Sequence, residues 1–298
     1  MHHGPAATLR SRIQDPRIII APGASDALSA RIIEGAGAEV VYFTGAGFAN
    51  SQFAVPDVGL VTMSETVEQV RRITDAVAIP VMADADTGYG GPLNIVRTVK
   101  ALEGAGVAAI QIEDQVVPKR CGHFDGKTVV PPAEMVGRVR AACDARTNGD
   151  VLIIARTDAL QSEGLSGAID RAGAYADAGA DMLFVEAPLT VDELREIPRS
   201  LGLPLVVNLV EGGQTPVLPA AELEAMGFRV ALYANTALRV AAHAIGLAMR
   251  SLLENGSSAG LEGMMLTWDE RQSLVRLPEY QRLEARYVVA DLPAVESR

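Results

Sequence analysis

Short, uninterrupted apolar runs recur along the whole chain, and segments with helical periodicity lie between them. Because strands covered by helices on both faces are apolar along their length, these runs predict buried parallel strands. Eight runs rich in Val and Ile can be distinguished. They are RIII (17–20), EVVYF (39–43), IPVMA (79–83), AAIQI (108–112), VLIIA (151–155), DMLFV (181–185), LPLVV (203–207) and RVALY (229–233).

The intervening segments carry helix start signals, such as Ser64 as a predicted N-cap and Pro92 in a predicted first turn. Eight strand–helix units in roughly 230 residues predict an α/β fold, a parallel (β/α)8 TIM barrel, with a doubly wound open sheet as the alternative. No linker or low-complexity block divides the chain, so we expect one domain over 1–298. The tail 268–290 predicts an extra helical segment, interrupted near Pro278, that packs on another subunit as an oligomerisation segment.

Composition narrows the classes of partner. The chain has 298 residues, 49% of them hydrophobic, and a formal net charge of -11, which argues against nucleic acid and anionic membrane surfaces as partners. No apolar run is long enough to span a bilayer, and the N-terminus does not resemble a signal peptide, so a cytoplasmic protein is expected. Two cysteines give no disulfide framework.

Acidic residues follow several of the predicted strands, where the active site of a barrel enzyme forms. Asp84 and Asp86 follow the third run, and Glu113 follows the fourth. Hard oxygen donors without His or Cys indicate Mg²⁺, or alternatively Mn²⁺, which would offset the repulsion among the carboxylates. The structural alternative is that these acids cap helices or pair with arginines, as Arg156 could do with Asp158.

The segment PKRCGHFDGK (118–127) places Cys121 among Lys119, Arg120 and His123. Cations stabilise a thiolate, so Cys121 could exchange a proton near neutral pH. The alternatives are an inert buried cysteine and a nucleophilic cysteine, although no acyl-transfer constellation accompanies it. The long loop 115–130 is a candidate lid over a substrate.

Four motifs resemble the isocitrate lyase and phosphoenolpyruvate mutase superfamily: DADTGYGG (84–91), EDQVVPKRCGH (113–123), ARTDA (155–159) and NLVEGGQTP (208–216). The Lys-Arg-Cys-Gly-His segment resembles the carbon–carbon lyase branch, which includes 2-methylisocitrate lyases, 2,3-dimethylmalate lyases and petal death proteins. The resemblance implies a (β/α)8 barrel whose last helix is exchanged between subunits, usually in a homotetramer.

The resemblance also implies roles for the matching residues. The metal site would consist of Asp86 as the direct Mg²⁺ ligand, with Asp57, Asp84 and Glu113 holding its waters. The substrate-binding residues would be Thr44, Gly45, Ala46 and Arg156 for the 2-oxoacid carboxylate, and Gly122, His123, Glu186 and Asn208 for the departing half. The catalytic residues would be Cys121 as acid and Tyr42 as candidate base, assisted by Lys119 and His123.

The implied reaction is a Mg²⁺-dependent retro-aldol cleavage of a 2-hydroxy dicarboxylate into pyruvate and a carboxylate. Methylisocitrate lyases carry Arg and Thr where this sequence has Phe124 and Val210. An additional carboxylate would be poorly solvated there, which favours a 2-alkylmalate or 2,3-dimethylmalate over 2-methylisocitrate.

Three other functions stay open from the sequence. One is an oxaloacetate hydrolase or decarboxylase, or a carboxyphosphonoenolpyruvate mutase, because related enzymes have similar motifs. A second is a Schiff-base aldolase, which would need a lysine at the end of a strand; the only lysines of the sequence are Lys100, Lys119 and Lys127. The third is a non-catalytic 2-oxoacid-binding protein with the same fold.

Overall fold

Eight parallel strands close into a barrel in the chain order β1 to β8, with the last strand paired to the first. This computed structural model describes residues 4–122 and 126–288. The predicted (β/α)8 architecture is therefore confirmed. The strands are β1 (Ile19–Ala24), β2 (Val41–Phe43), β3 (Val81–Asp84), β4 (Ala109–Glu113), β5 (Leu152–Thr157), β6 (Met182–Val185), β7 (Leu205–Asn208) and β8 (Val230–Tyr233).

Seven strands begin within two residues of the predicted start and end at or just after the predicted end. The first strand differs most, because it extends through Pro22 and Gly23 to Ala24. Gly23 is required there: a Cβ at this position would meet the carbonyl oxygen of Ala234 at 2.0 Å. The close approach of these two segments closes the barrel. Pro22 and Gly23 are typical turn residues and lie after the predicted first run, so the sequence pattern did not show that the strand continues through them.

The helices follow the strands in alternation as expected. They are α1 (Pro5–Arg12), α2 (Ala27–Gly35), α3 (Gly45–Phe53), α4 (Met63–Ala76), α5 (Pro92–Gly104), α6 (Pro132–Ala145), α7 (Leu160–Asp177), α8 (Val191–Ser200), α9 (Ala220–Met226), α10 (Thr236–Asn255), α11 (Trp268–Leu274) and α12 (Leu277–Tyr287). Pro92 begins α5 as predicted. The N-cap of α4 is Thr62 and not Ser64, because Thr62 and Glu65 form a capping box.

The core fills the barrel interior and the layer between strands and helices. Every residue of β3 to β7 is buried, as expected for strands covered on both faces. Helix α1 is tied to the N-terminal ends of β5 and β6, where Arg10 Nη2 lies 2.9 Å from Asp181 Oδ1. This leaves the carboxyl ends of the strands, at the opposite end of the barrel, for a functional site.

The chain divides into two compact units, Met1–Ala241 and Ala242–Arg298. In the second unit, the predicted C-terminal helical segment consists of α11 and α12. The break between them lies at Val275 and Arg276, and Pro278 stands in the first turn of α12, where its missing amide proton costs nothing. Within the described parts of the chain, every helix is too short or too polar to cross a membrane.

Candidate active site

A cavity of about 460 Å³ opens at the carboxyl ends of the strands. Its lining residues come from seven of the eight strands or the loops that follow them. Twelve of the predicted site residues line it: Tyr42, Thr44, Ala46, Asp57, Asp84, Glu113, Lys119, Cys121, Gly122, Arg156, Glu186 and Asn208. Residues separated by up to 166 positions in the sequence are thus brought together because parallel strands all end on the same side of the barrel.

The end of β3 holds two buried carboxylates in a tight turn. The backbone amide of Asp86 donates to Asp84 Oδ1 at 3.0 Å, and Asp86 itself has a left-handed φ of 49°. Such a backbone conformation is uncommon outside glycine and is concentrated at functional sites. Gly45, at the start of α3, approaches this turn closely, since a Cβ there would lie 3.0 Å from Asp84 Oδ2 and 3.4 Å from Asp86 Oδ1.

Lys119 bridges two of the predicted metal-site residues. Its ammonium group forms an ion pair with Asp57 and lies 2.7 Å from Asp86 Oδ1. Burial alone would lower the pKa of Lys119, but Asp86 and Asp57 raise it well above its usual value, so the side chain stays charged. Asp86 contributes to the wall of a neighbouring cavity of about 480 Å³, on the other side of Lys119.

Arg156 is the central cation of the opposite wall. Its Nε and Nη2 each lie 2.9 Å from a carboxylate oxygen of Asp158, and Nη1 lies 3.3 Å from Glu186 Oε2. Nε is also 3.4 Å from Glu113 Oε2, the residue directly opposite in the β4–β5 pairing. The structural ion pair with Asp158 therefore exists, and the same guanidinium also reaches the cavity.

Burial raises the pKa of the carboxylates at the ends of β3 and β4. The pKa values of Asp84 and Asp86 lie above the usual range and that of Glu113 well above it, in each case because burial disfavours the charged form. Among the described residues, Glu113 Oε1 has no hydrogen-bond partner. The cavity wall thus holds carboxyl groups whose charged form is disfavoured by burial, and a bound cation would stabilise that form.

Tyr42 is linked to the acidic turn through Gln111, a residue that the sequence reasoning did not single out. The phenol donates to Gln111 Oε1 at 3.1 Å, and Gln111 Nε2 donates to Asp84 Oδ1 at 3.4 Å. Burial, reinforced by the charge of Asp84, raises the pKa of Tyr42 well above 10. The neutral phenol is therefore the favoured form in this arrangement.

The segment around Cys121 lies over the cavity. Cys121 is half-buried, and Gly122 packs so tightly on the opposite wall that a Cβ would meet Arg156 Nη2 at 2.2 Å. Any larger residue at this position would displace the side chains of Arg156 and Glu186. His123 and Phe124, both named from the sequence, lie outside the described residues.

The described residues do not form a site in which several side chains would coordinate a metal ion directly. Within residues 4–122 and 126–288, no three Asp, Glu, His or Cys side chains are grouped closely enough to hold an ion together. Asp84 and Asp86 nevertheless share one turn, and Glu113 lies on the adjacent strand. This arrangement is compatible with an ion that one carboxylate binds directly while the others bind its waters, which is how Mg²⁺ is commonly held.

Two predicted residues of the described part of the chain do not line the main cavity. Gly45 packs against the turn that holds Asp84 and Asp86, and Asp86 lines the neighbouring cavity. His123 lies outside the described residues. The sequence reasoning also missed lining residues on the eighth strand's side, namely Leu232, Ala234, Asn235 and Arg239. Asn235 lies two residues after the end of β8, so a search for polar residues at the strand ends, as made for the other strands, would have found it.

Comparison with known proteins agrees with this geometry. Residues 9–253 match the family of phosphoenolpyruvate phosphomutase. The chain is 42% identical over 282 residues to a 2,3-dimethylmalate lyase of Eubacterium barkeri, covering 95% of this chain and 98% of that protein. It is 39% identical over 281 residues to a 2-methylisocitrate lyase of Aeropyrum pernix, covering 94% and 90%.

The fold comparison agrees with the sequence comparison. A crystal structure of 2,3-dimethylmalate lyase, described as a PEP mutase/isocitrate lyase superfamily member, superposes with a TM-score of 0.91 at 38% identity, covering 99% of both chains. The resemblance drawn from the four sequence motifs is thereby confirmed. The chain belongs to the phosphoenolpyruvate phosphomutase family, within the PEP mutase/isocitrate lyase superfamily.

Proposed function

We propose that this protein is a Mg²⁺-dependent carbon–carbon lyase that cleaves a 2-hydroxy dicarboxylate into pyruvate and a second carboxylate. The observation that carries the proposal is the joint presence of Asp84, Glu113, Arg156 and Cys121 on the wall of one cavity at the strand ends. Similarity over nearly the full chain to a 2,3-dimethylmalate lyase and a 2-methylisocitrate lyase supports the same reaction class.

The donor chemistry fits a hard divalent cation. The candidate ligands are all carboxylates, and burial raises the pKa values of Asp84, Asp86 and Glu113, so a dication would offset charge that is costly to bury. Asp86 would bind Mg²⁺ directly, with Asp57, Asp84 and Glu113 holding its waters; Mn²⁺ would suit the same donors. Bound there, the metal supplies a Lewis acid that stabilises the alkoxide form of the substrate hydroxyl.

The chain's own groups bind and orient the substrate. Thr44 caps α3 by accepting from the amide of Gly47 at 3.1 Å, so the first turn of that helix, with Gly45 and Ala46, offers amide donors to a carboxylate. Arg156 supplies the matching charge from the other side. Glu186 and Asn208 would contact the departing half. The two are hydrogen-bonded to each other, since Asn208 Nδ2 donates to Glu186 Oε1 at 3.3 Å.

Cleavage needs one proton removed and one delivered. The hydroxyl proton leaves, the carbon–carbon bond breaks to form the 2-oxoacid, and the electron pair remains on the departing carbon as an enediolate. Cys121 then protonates that carbon, with Lys119 and His123 assigned to stabilise the anion before transfer. Tyr42 stays the predicted base, although its raised pKa disfavours the phenolate at neutral pH.

The substrate proposal rests on the apolar part of the cavity wall. Val210 and Leu232 line it, and neither can bind a further carboxylate. This part of the wall favours a dicarboxylate such as 2,3-dimethylmalate or another 2-alkylmalate over a tricarboxylate such as 2-methylisocitrate. The lining Arg239, which could attract a third carboxylate, is already paired with Glu211.

The assembly proposed is a homotetramer in which the C-terminal helical segment of one copy packs on the barrel of another. Ile20 on β1 is 50% exposed, although barrel strands are normally covered, and Leu28 and Ile32 on α2 are exposed near the same edge. In the C-terminal unit, Trp268 and Tyr280 are also largely exposed. A second copy would cover both the apolar surface on the barrel and the apolar surface on the C-terminal helices. The single domain over 1–298 and the cytoplasmic location also stay predictions.

The test is an assay of 2-oxoacid release from 2,3-dimethylmalate, 2-methylisocitrate, isocitrate and oxaloacetate with Mg²⁺. We expect the highest kcat/KM for 2,3-dimethylmalate and a loss of at least about 100-fold in Cys121→Ala. Comparable kcat/KM for all four would contradict the substrate proposal. Full activity of Cys121→Ala with oxaloacetate alone would instead indicate a hydrolase or decarboxylase, and no turnover of any substrate would favour a 2-oxoacid-binding protein.

A further inference from the structure

We propose that Gln115 and Lys127 are positioning residues that hold the backbone on both sides of Cys121 against the active site. Neither side chain lines the substrate cavity. Each instead binds the backbone of a residue adjacent to Cys121. The assignment of the thiol as the proton donor belongs to the proposed function, on which this inference rests.

Gln115 fixes the residue before the cysteine. Its side-chain oxygen accepts from the amide of Arg120 at 2.9 Å, and its side-chain nitrogen donates to the carbonyl of Arg120 at 2.9 Å. One amide side chain thereby satisfies both backbone groups of Arg120, as a neighbouring strand would. Because Gln115 is only 1% exposed, water competes little for these hydrogen bonds.

Gln115 is itself held in a fixed frame. Its backbone pairs with Val129 in an antiparallel bridge, and the adjacent amide of Val116 donates to Thr128 at 2.9 Å. The two ends of the loop are thus joined to each other. Gln115 therefore holds Arg120 from a backbone segment that is itself paired with the other end of the loop. We call the hydrogen bonds from Gln115 to Arg120, and those from Lys127 described next, the two clamps.

Lys127 fixes the residue after the cysteine. Its ammonium group donates to the carbonyl of Gly122 and to Asp158 Oδ1, the latter at 2.9 Å. The same Asp158 accepts two hydrogen bonds from Arg156. The carbonyl of Gly122 is therefore connected through one buried carboxylate to the cation that faces the cavity.

The two clamps act on Cys121 from opposite sides, and the tight packing of Gly122 on Arg156 removes the remaining freedom of that residue. A proton donor must be held close to its target carbon, and a displacement of about 1 Å can cost about 100-fold in rate. Both residues therefore act on kcat through the position of the thiol and not through contact with the substrate.

The first experiment compares Gln115→Leu with the wild type by hydrogen exchange and by turnover. Leucine keeps the volume and removes both hydrogen bonds, so we expect exchange in a peptide spanning 116–122 to rise about 10-fold while β5 stays protected. We expect kcat to fall about 100-fold with KM changing less than about 3-fold. Gln115→Glu keeps the acceptor for the Arg120 amide, so its exchange rate and kcat should lie between those of the wild type and Gln115→Leu. Gln14→Leu, at an exposed position, should match the wild type.

The second experiment uses Lys127→Met, with Lys100→Met on the exposed surface of α5 as the matched control. In Lys127→Met we expect faster hydrogen exchange near Cys121 and a lower kcat with little change in KM, as in Gln115→Leu. In Lys100→Met we expect no change in exchange or in kcat. Unchanged exchange near Cys121, faster exchange throughout the barrel, or normal kcat despite faster local exchange would overturn the proposal. A wrong lyase assignment can be told apart from a wrong positioning role. In the first case the wild type would be inactive, but the exchange measurement would still show whether Gln115 and Lys127 hold the backbone around Cys121.

Discussion

Glu113 and Arg156 stand directly opposite each other in the β4–β5 pairing, and Arg156 Nε lies 3.4 Å from Glu113 Oε2. The same guanidinium binds Asp158 through two nitrogens and approaches Glu186 with the third. One planar cation thus orients three carboxylates from the ends of adjacent strands. A single ammonium group cannot reproduce this fork.

We therefore expect Arg156→Lys to lower kcat/KM by about 100-fold, because lysine keeps the charge but loses the geometry. Steady-state kinetics with 2,3-dimethylmalate would measure the change. Arg140→Lys, at an exposed position on α6, is the control. Near-normal kcat/KM in Arg156→Lys would show that only the charge matters.

Asp86 provides a test of the metal site. Its left-handed φ of 49° is tolerated by Asn, so Asp86→Asn should remove the charge without straining the turn. We expect at least about a 10-fold loss of Mn²⁺ affinity by calorimetry and loss of Mg²⁺-dependent turnover. Asp75→Asn, on the exposed face of α4, should retain both. Full activity of the wild type after treatment with a chelator would refute the metal role.

Val210 provides a test of substrate choice. Val210→Thr adds a hydroxyl to the apolar cavity wall, which should favour an additional carboxylate over an apolar substituent. We expect the ratio of kcat/KM for 2-methylisocitrate to that for 2,3-dimethylmalate to rise about 10-fold. An unchanged ratio would mean that the selecting contact lies elsewhere in the cavity.

Ile20 provides a test of assembly. A lysine on this half-exposed position of β1 should disfavour burial by a second copy and shift the protein towards smaller species. Light scattering after size-exclusion chromatography would measure the mass. Leu189→Lys, with a similar exposed fraction of 53%, is the control. Assembly that is unaffected by Ile20→Lys would contradict the proposed packing of the C-terminal segment on this edge.

The sequence predicted the barrel and most of the cavity wall because both depend on strand order and strand ends. Apolar runs mark the strands, and parallel strands bring Asp84, Glu113 and Arg156 to one side whatever the detailed packing. The missed N-cap at Thr62 was also visible, since Thr62 and Glu65 have the spacing of a capping box.

Contacts made by long loops were not predictable in the same way. The bridge from Lys119 to Asp57 and Asp86 joins residues 62 and 33 positions apart, and no periodic pattern relates them. The clamp of Gln115 on Arg120 depends on the path of the loop and on one rotamer. Gln111 did give a signal, because a polar residue inside a buried strand requires a partner.

The buried cluster in which Asp158 pairs with both Arg156 and Lys127 should make the stability of the protein depend on acid pH in a characteristic way. Burial opposes ionisation of Asp158, but these two cations hold its pKa below the ordinary value of 3.8. A carboxyl whose pKa is lowered by folding stabilises the fold at pH values above its unfolded pKa, and this stabilisation is lost as the pH falls below that value.

We therefore expect Asp158→Asn to lower the free energy of unfolding by about 3 kcal/mol, because it leaves two buried cations without their shared partner. Urea unfolding should give a nearly constant difference from the wild type between about pH 8 and pH 5 and a smaller one below about pH 4, where the carboxyl of the unfolded wild-type chain begins to protonate while that of the folded chain is still charged. Asp192→Asn is the matched control, since its side chain is 92% exposed in its pair with Arg195, and it should change stability by less than about 1 kcal/mol. A difference between wild type and Asp158→Asn that stays the same from neutral to acid pH would show that the contribution of Asp158 is one of packing and not of charge.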